Sequence, residues 1–272
     1  MSRVWFITGT SRGLGRQWTI AALERGDRVA ATARDSAALA DLVQTYGTSI
    51  LPIALDVTDR EAAFTAVKTA HDHFGRLDIV VNNAGYGQYG FVEELCEAEV
   101  RAQLETNFFG ALWVTQAALP YLRAQRSGHI IQVSSVGGVT AFPNLGAYHA
   151  SKWALEGLSQ SLAQEVLSFG VHVTLVEPGA FATDWVGSAP QARHSADYGA
   201  EREKFEKART QRMAVTGDPR ASANAILQIV DTAEPPLRVF LGGQALDWVR
   251  ADYEQRLATW ERWQPLAVAA QG

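Results

Sequence analysis

The sequence has little of what membrane-spanning, disulfide-stabilised and nucleic-acid-binding proteins need. Its single cysteine, Cys96, can form neither an internal disulfide nor a multi-cysteine metal cluster. Its apolar runs are far shorter than the roughly 20 residues of a membrane-spanning helix, and its first residues do not form the core of a signal peptide. Lysine and arginine total 24 against 29 acidic residues, so no basic footprint for nucleic acid is expected. We therefore expect a soluble, cytoplasmic protein that contacts neither membrane nor nucleic acid.

Repeats, low-complexity segments and linkers are also missing, which favours a single domain over residues 1–272. Hydrophobic residues make up 47% of the chain, enough for a large core. Short apolar runs alternate with stretches of helical period, and this pattern predicts an α/β fold. The fold expected is a single-domain, doubly wound (Rossmann) parallel sheet of about seven strands with helices on both faces. The predicted strands are 4–8, 28–33, 49–55, 77–81, 128–134, 171–176 and 237–241.

Two segments depart from this alternation. Residues 183–217 are too long for an ordinary loop and are predicted to form a substrate lid, with the charged run 201–207 on a solvated helix face. Residues 244–263 are predicted to form a C-terminal helix before a tail of small residues. Specificity is expected in these two additions to the core.

A glycine-rich turn follows the first predicted strand and precedes a helix. Glycines let the backbone approach a pyrophosphate closely, and the N-terminal N–H groups of the next helix attract its charge. This position predicts a dinucleotide phosphate site formed by Gly9, Ser11, Arg12, Gly13, Leu14 and Gly15.

The spacing Gly-x-x-x-Gly-x-Gly resembles that of the short-chain dehydrogenase/reductase family. Further motifs of that family follow in order over residues 3 to about 242, namely Asn82-Asn83-Ala84-Gly85, Ser135, Tyr148 with Lys152, and Pro178-Gly179. The segments around Ser135 and Tyr148 are most similar to the branch of 17β-hydroxysteroid and retinol dehydrogenases and bacterial carbonyl reductases. The resemblance implies a dinucleotide-binding and catalytic domain that uses a nicotinamide cofactor.

The end of the second strand favours NADP(H) over NAD(H). An NAD site places an acid there to accept from the ribose 2′-hydroxyl, but here the small Ala33 stands at that position. Arg34 and Arg12 offer guanidinium groups to a 2′-phosphate, whereas Asp35 is interpreted as a helix N-cap.

Three further groups of cofactor contacts follow from the resemblance. Asp56 and Val57 match the pair that contacts adenine, although Asp56 could equally cap its loop. Asn83, Ala84 and Gly85 match the turn beside the adenosine ribose. The segment over the nicotinamide is matched by Pro178, Gly179, Phe181 and Thr183.

Tyr148 and Lys152 lie four residues apart in a helical stretch and therefore share a face. Ser135, at the end of the fifth strand, could bind a carbonyl oxygen together with the Tyr148 phenol, which would supply the proton. We expect Lys152, helped by the oxidised nicotinamide, to lower the pKa of the phenol. The resemblance also assigns Lys152 to the nicotinamide ribose and Asn107 to a water that connects Lys152 with solvent. Ser134 is the rival for the serine role, and strand alternation allows only one of the two to face the site.

Aromatic residues suggest where a hydrophobic substrate binds. Tyr86, Gly137, Phe142 and Trp185 are the candidates, although packing of the lid on the core explains the aromatic residues equally well. His149 is predicted to be structural, and Trp153 to pack behind Lys152. Trp248, Trp260 and Trp263 suggest that the C-terminal helix docks on its own domain or on another subunit. His71 and His73 do not share a helix face, so no metal site is predicted.

The function predicted is NADP(H)-dependent hydride transfer to or from a hydrophobic ketone or secondary alcohol. One alternative is a 3-oxoacyl thioester reductase, for which Arg193, Arg202 and Lys204 could bind the phosphopantetheine arm. Another is an NADP-binding regulator without catalysis. By resemblance, a homodimer or homotetramer is expected, formed through helices 110–123 and 147–168.

Overall fold

A computed structural model describes residues 2–183 and 189–271 of the chain. The strands in these ranges are β1 (Val4–Ile7), β2 (Arg28–Ala33), β3 (Ile50–Ala54), β4 (Ile79–Asn82), β5 (Gly128–Val133), β6 (Val171–Pro178) and β7 (Arg238–Leu241). They form one parallel sheet in the order β3-β2-β1-β4-β5-β6-β7, which confirms the predicted doubly wound fold. The winding reverses between β1 and β4, where such sheets have a ligand-binding crevice at their carboxyl ends.

Helices connect these strands, and the helix over residues 60–74 has capping groups at both ends. They are α1 (Gly13–Glu24), α2 (Ala40–Tyr46), α3 (Arg60–Phe74), α4 (Glu97–Leu104), α5 (Gly110–Gln125), α6 (Gly146–Val166), α7 (Gly199–Met213), α8 (Ala221–Asp231) and α9 (Ala245–Ala269). At the start of α3, the Asp59 carboxylate accepts a hydrogen bond from Ala62 N at 2.9 Å and so caps the helix. Gly75 ends the same helix at φ 77°.

Alternation along the strands gives the sheet two apolar faces. Phe6 contributes to the core that α3, α5 and α6 cover, while the adjacent Trp5 contributes to the core under α1, α2 and α8. Trp18 of α1 is fully buried, and its Nε1 donates to Ser222 Oγ of α8 at 2.8 Å. Both faces are therefore covered, as a parallel sheet requires.

The segment predicted as a lid contains helix α7, which is fastened to the region after β4. The Arg202 guanidinium pairs with Glu94 and lies 5.0 Å from the centroid of the Phe91 ring. The Tyr198 ring stacks on the same Phe91 ring at 4.8 Å. Most of the charged run faces solvent, but Phe205 is only 4% exposed and points to the interior. The lid role itself remains a prediction.

The C-terminal helix is longer than predicted, because α9 continues through the tail of small residues to Ala269 despite Pro265. Alanine and leucine in that tail are strong helix formers. Its first turns pack on the domain through Ala245 and Val249, whereas Trp260 and Trp263 are 61% and 57% exposed. The first half of the helix therefore contacts the domain, and residues 260–269 are exposed.

Trp153 was expected to pack behind Lys152, and this expectation is wrong. Successive helical residues point about 100° apart, so Trp153 faces outward from α6. The Trp153 ring is partly exposed and lies 4.8 Å from the guanidinium of Arg256 in α9.

Candidate active site

A cavity of about 700 Å³ lies at the carboxyl ends of β1, β4, β5 and β6. Among the residues predicted from the sequence, Gly15 and Asn107 do not line it, and Trp185 lies outside the described residues. Those that line it are Gly9, Ser11, Arg12, Gly13, Leu14, Arg34, Asp56, Val57, Asn83, Ala84, Gly85, Tyr86, Ser135, Gly137, Phe142, Tyr148, Lys152, Pro178, Gly179, Phe181 and Thr183. One cavity therefore joins motifs that are up to 174 residues apart in the sequence (Gly9 to Thr183).

The glycine turn packs directly against the end of β4. The Asn83 side-chain amide donates to Thr8 O at 2.8 Å and to Gly9 O at 3.0 Å. A Cβ on Gly15 would lie 2.3 Å from Asn83 Nδ2 and 2.6 Å from Gly9 O. A Cβ on Gly9, at φ +69°, would lie 2.9 Å from Ala84 Cα. Gly15 is thus required by the close packing of α1 against Asn83 and the backbone of Gly9.

At one end of the cavity, two arginines lie near the end of β2, where an NAD site would have an acidic residue and this chain has Ala33. Arg12 and Arg34 are exposed on the lining, and Ala33 is buried beside them. Asp35 does not take the place of that acid. Its carboxylate instead accepts a hydrogen bond from Ala37 N at 2.9 Å and caps the next turn. Asp56 lines the cavity and also caps its own loop, accepting from Thr58 N at 3.0 Å.

Ser135 and Tyr148 meet at the centre of the cavity. The two side chains share a hydrogen bond, and Ser135 Oγ also accepts from Gly137 N at 3.0 Å. The neighbouring Ser134 hydroxyl is instead buried against Gly138 and Glu156, so strand alternation selects Ser135. Burial raises the pKa of Tyr148 to about 12, partly opposed by the hydrogen bond with Ser135. The phenol is therefore fully protonated at neutral pH.

Lys152 lies one helical turn after Tyr148, with its charge deep in the protein. Its Nζ donates to Val133 O at 2.8 Å and lies 6.0 Å from the centroid of the Tyr148 ring. Burial lowers the pKa of Lys152 to about 8, partly opposed by Glu156. Burial of the phenol is the largest influence on the pKa of Tyr148 and raises it. The expected lowering by Lys152 together with the oxidised nicotinamide stays a prediction.

Asn107 occupies a π-helical turn, Glu105–Phe109, between α4 and α5. Its buried amide accepts from Tyr86 N at 3.0 Å and donates to Tyr86 O at 2.9 Å. It also donates to Ser151 Oγ at 3.0 Å, next to Lys152 in α6. Asn107 thus connects the segment after β4 with the helix that carries Tyr148 and Lys152, and it acts from behind the cavity wall.

Beside Tyr148, the cavity has a mostly apolar half, and the sequence-based prediction missed several of its residues. They are Tyr89, Leu145, Pro190, Phe205, Arg209, Arg212, Met213 and Trp248. Phe205, Arg209 and Arg212 come from one stripe of α7, with the helical spacing i, i+4, i+7. A single phenylalanine in the charged run was the signal that could have identified this inward face.

His149 is structural, as predicted, but it acts on the substrate side of the cavity. Its Nε2 accepts from Phe142 N at 2.9 Å, while its Nδ1 lies 2.7 Å from Gly137 O. These contacts require the neutral ring protonated at Nδ1. The pKa of His149 is lowered by burial, which favours that neutral form. The histidine therefore fixes the loop that follows β5.

Two buried carboxyl groups lie beneath the same loop. Glu156 Oε2 is 2.9 Å from Arg238 Nε, and Glu177 Oε1 is 3.5 Å from it. Burial raises the pKa of both glutamates, and the proximity of Glu156 further raises that of Glu177. One arginine cannot compensate two buried carboxylates, so the pair retains a proton at neutral pH.

Neither a metal site nor a membrane span is found in the described ranges. No group of three metal-binding side chains occurs there, and the His71 ring stacks on Tyr121 at 4.1 Å. None of the helices in the same ranges is both long and apolar enough to cross a bilayer.

Comparisons with known proteins agree with this geometry. A family model described as short chain dehydrogenase matches residues 3–194. The chain is 43% identical over 276 residues to oxidoreductase BOA17 of Botryotinia fuckeliana, covering 99% of this chain and all of the relative.

Two solved structures are similar over nearly the whole chain. A short-chain dehydrogenase from Streptomyces avermitilis has a TM-score of 0.92 and 39% identity, with 99% of this chain and 98% of that chain covered. An alcohol dehydrogenase from Thermococcus sibiricus, complexed with 5-hydroxy-NADP, has a TM-score of 0.73 and 27% identity, with 89% and 96% covered.

Proposed function

Because the chain belongs to the short-chain dehydrogenase family, we propose that it is an NADP(H)-dependent oxidoreductase acting on a hydrophobic ketone or secondary alcohol. The observation that carries this proposal is the single cavity that joins the glycine turn, two arginines and the Ser135–Tyr148 pair. The relative from Thermococcus sibiricus, an alcohol dehydrogenase crystallised with an NADP derivative, supports it.

The residues present fit a dinucleotide. The glycine turn leaves backbone N–H groups open to a pyrophosphate, in a cradle that side chains at Gly9 and Gly15 would distort. In our proposal, residues 9–15 hold the pyrophosphate, and Arg12 and Arg34 bind the 2′-phosphate. Asp56, Val57 and residues 83–85 contact the adenosine. Tyr148 and Lys152 bind the nicotinamide ribose, and Pro178, Gly179, Phe181 and Thr183 enclose the ring.

The cofactor, when bound, supplies or accepts the hydride. Ser135 and Tyr148 donate hydrogen bonds to the substrate carbonyl oxygen, and the Tyr148 hydroxyl transfers its proton to that oxygen during reduction. The Lys152 ammonium stabilises the phenolate that remains. At neutral pH the Tyr148 hydroxyl carries the proton that this transfer needs, and the charge of Lys152 reduces the cost of releasing it. Asn107 is a positioning residue, because it holds the Tyr86 backbone and Ser151 beside Lys152.

The preference for NADP(H) is tested by removing the guanidinium of Arg34. We expect Arg34→Leu to reduce the ratio of kcat/KM for NADPH to that for NADH by about 10- to 100-fold, because charge-assisted hydrogen bonds to the 2′-phosphate are lost. Arg250→Leu, an exposed arginine of α9, is the matched control. A wild-type protein that prefers NADH, or an unchanged ratio in Arg34→Leu, would overturn this part of the proposal.

Two of the three basic residues considered for a 3-oxoacyl thioester reductase are paired with acids. Arg202 pairs with Glu94 and Lys204 with Glu201, whereas Arg193 is exposed and has no ion pair in the described ranges, so among these residues the alternative depends on Arg193 alone. If the protein is a regulator without catalysis, Tyr148→Phe will leave any ketone reduction unaffected. Ketone reduction by this variant therefore distinguishes the regulator from the proposed enzyme. The expected homodimer or homotetramer stays a prediction, which sedimentation analysis can check.

A further inference from the structure

The inward stripe of α7 brings two arginines to the apolar half of the cavity, and their charges are compensated differently. Arg209 Nε and Nη2 donate to Glu206 Oε2 at 2.8 and 2.6 Å, which neutralises that cation. Arg212 has no carboxylate within ion-pair distance in the described parts of the chain. Its guanidinium carbon lies instead 4.7 Å from the centroid of the Phe142 ring and 5.9 Å from that of Phe205.

Arg212 is therefore a cation held over two aromatic rings inside the candidate site. Its side chain is half-buried, and burial lowers its pKa, an effect that the Tyr89 phenol partly opposes. Arginine nevertheless stays protonated at physiological pH, so the charge remains. Aromatic faces stabilise such a cation only weakly compared with an anion.

No carboxylate among the described residues of the lining lies within ion-pair distance of Arg212. Among the described residues that line the cavity, Asp56 is the one acid, and it follows the edge strand β3 near the proposed adenosine contacts. Phe205, beneath the guanidinium, packs in one cluster with Tyr89, Leu145 and Tyr148. A short apolar stretch therefore separates Arg212 from the Tyr148 phenol.

We propose that the substrate of this site carries a carboxylate, which the Arg212 guanidinium binds while the reacting carbonyl lies against Ser135 and Tyr148. An apolar segment of the substrate spans the aromatic cluster between the two groups. A carboxylate fits better than a phosphate, because one planar guanidinium matches one carboxylate with two parallel hydrogen bonds. This inference rests on the proposed ketone reduction.

The test uses aryl ketones that end in a carboxylate, over a series of chain lengths, each paired with its methyl ester. We measure kcat/KM with NADPH for every acid and ester. At the best chain length, we expect the wild type to prefer the acid by about 10- to 100-fold, the range of a charge-assisted hydrogen-bonded pair. Arg212→Met keeps the apolar stem over Phe142 and should bring the acid-to-ester ratio close to one. Arg212→Lys should retain part of the preference.

Lys207→Met, on the outer face of the same helix, is the matched control and should keep the wild-type ratio. Thermal melting of each variant shows that it is folded. Esters reduced as well as acids by the wild type, or a preference that persists in Arg212→Met, would overturn the inference while the proposed function stands. If neither acids nor esters are reduced at any length, the proposed function fails and the inference fails with it.

Discussion

A single methyl group added at Gly15 should disturb both the stability of the protein and its affinity for NADPH. The new Cβ would lie 2.3 Å from Asn83 Nδ2, whereas ordinary contacts between heavy atoms are about 3.5 Å or longer. Gly9 O, at 2.6 Å, is backbone and cannot rotate away. Either the Asn83 amide leaves its two acceptors, Thr8 O and Gly9 O, or α1 moves away from the turn.

These contacts set the expected loss in the free energy of unfolding. Loss of two hydrogen bonds costs about 1–3 kcal/mol, and strain at the backbone contact adds about 1 kcal/mol or more. The higher helix propensity of alanine returns up to about 1 kcal/mol. We therefore expect Gly15→Ala to lower the free energy of unfolding by about 1–3 kcal/mol. For a chain of this size that corresponds to a fall in Tm of roughly 3–10 °C.

Urea denaturation and titration with NADPH are the two assays. Gly157→Ala in α6 is the control, because a Cβ there meets nothing within 4 Å; we expect this variant to be as stable as the wild type or slightly more stable. In an Asn83→Ala background, Gly15→Ala should cost less than in the wild type, since part of the clash has been removed. A Gly15→Ala protein with wild-type stability and wild-type NADPH affinity would refute the reasoning.

Two further predictions concern pH. The kcat/KM for NADPH reports the ionisation of groups in the free protein. It should fall above about pH 8, because Lys152 then loses its proton. A flat profile to pH 9 or above, roughly one unit beyond this pKa, would contradict the proposed role of the Lys152 charge. The pKa of Glu177 is raised in the folded protein from 4.5 to about 8. The stability that protonated Glu177 contributes is therefore fully present below pH 4.5 and is lost as the pH rises from there to about 8. Glu177→Gln should flatten this decline in urea denaturation series, and an unchanged slope would count against the shared proton.

Local patterns predicted the sheet and the motifs that meet at its carboxyl edge. Apolar runs that end at turn-forming residues define strands such as Val4–Ile7, which Thr8-Gly9 follows, and Arg28–Ala33, which Arg34-Asp35 follows. Motifs directly after these strands must meet at one edge of a parallel sheet, so Gly9, Asn83 and Ser135 were expected to lie together. Their separation in sequence does not matter, because the topology fixes the edge.

What the sequence could not predict depends on side-chain direction and on long-range packing. The inward direction of Arg212 follows from the rotation of α7 on the domain, which the contacts of Phe91 with Arg202 and Tyr198 determine. The π-helical turn that aims Asn107 requires one extra residue in a helix, and its sequence shows no sign of it. The Glu156–Glu177 pair joins α6 to β6, and neither glutamate stands out along the chain.

Hydride transfer to a carbonyl that Tyr148 protonates can be followed directly with isotopes. The most direct measurement supplies NADPH deuterated at nicotinamide C4 and analyses the alcohol formed from an aryl ketone by mass spectrometry. One of the two C4 epimers should deliver deuterium to the carbinol carbon, deuterated water should not, and Tyr148→Phe should slow product formation about 10²- to 10⁴-fold. An unlabelled carbinol carbon with both epimers, or a Tyr148→Phe protein as fast as the wild type, would contradict the account.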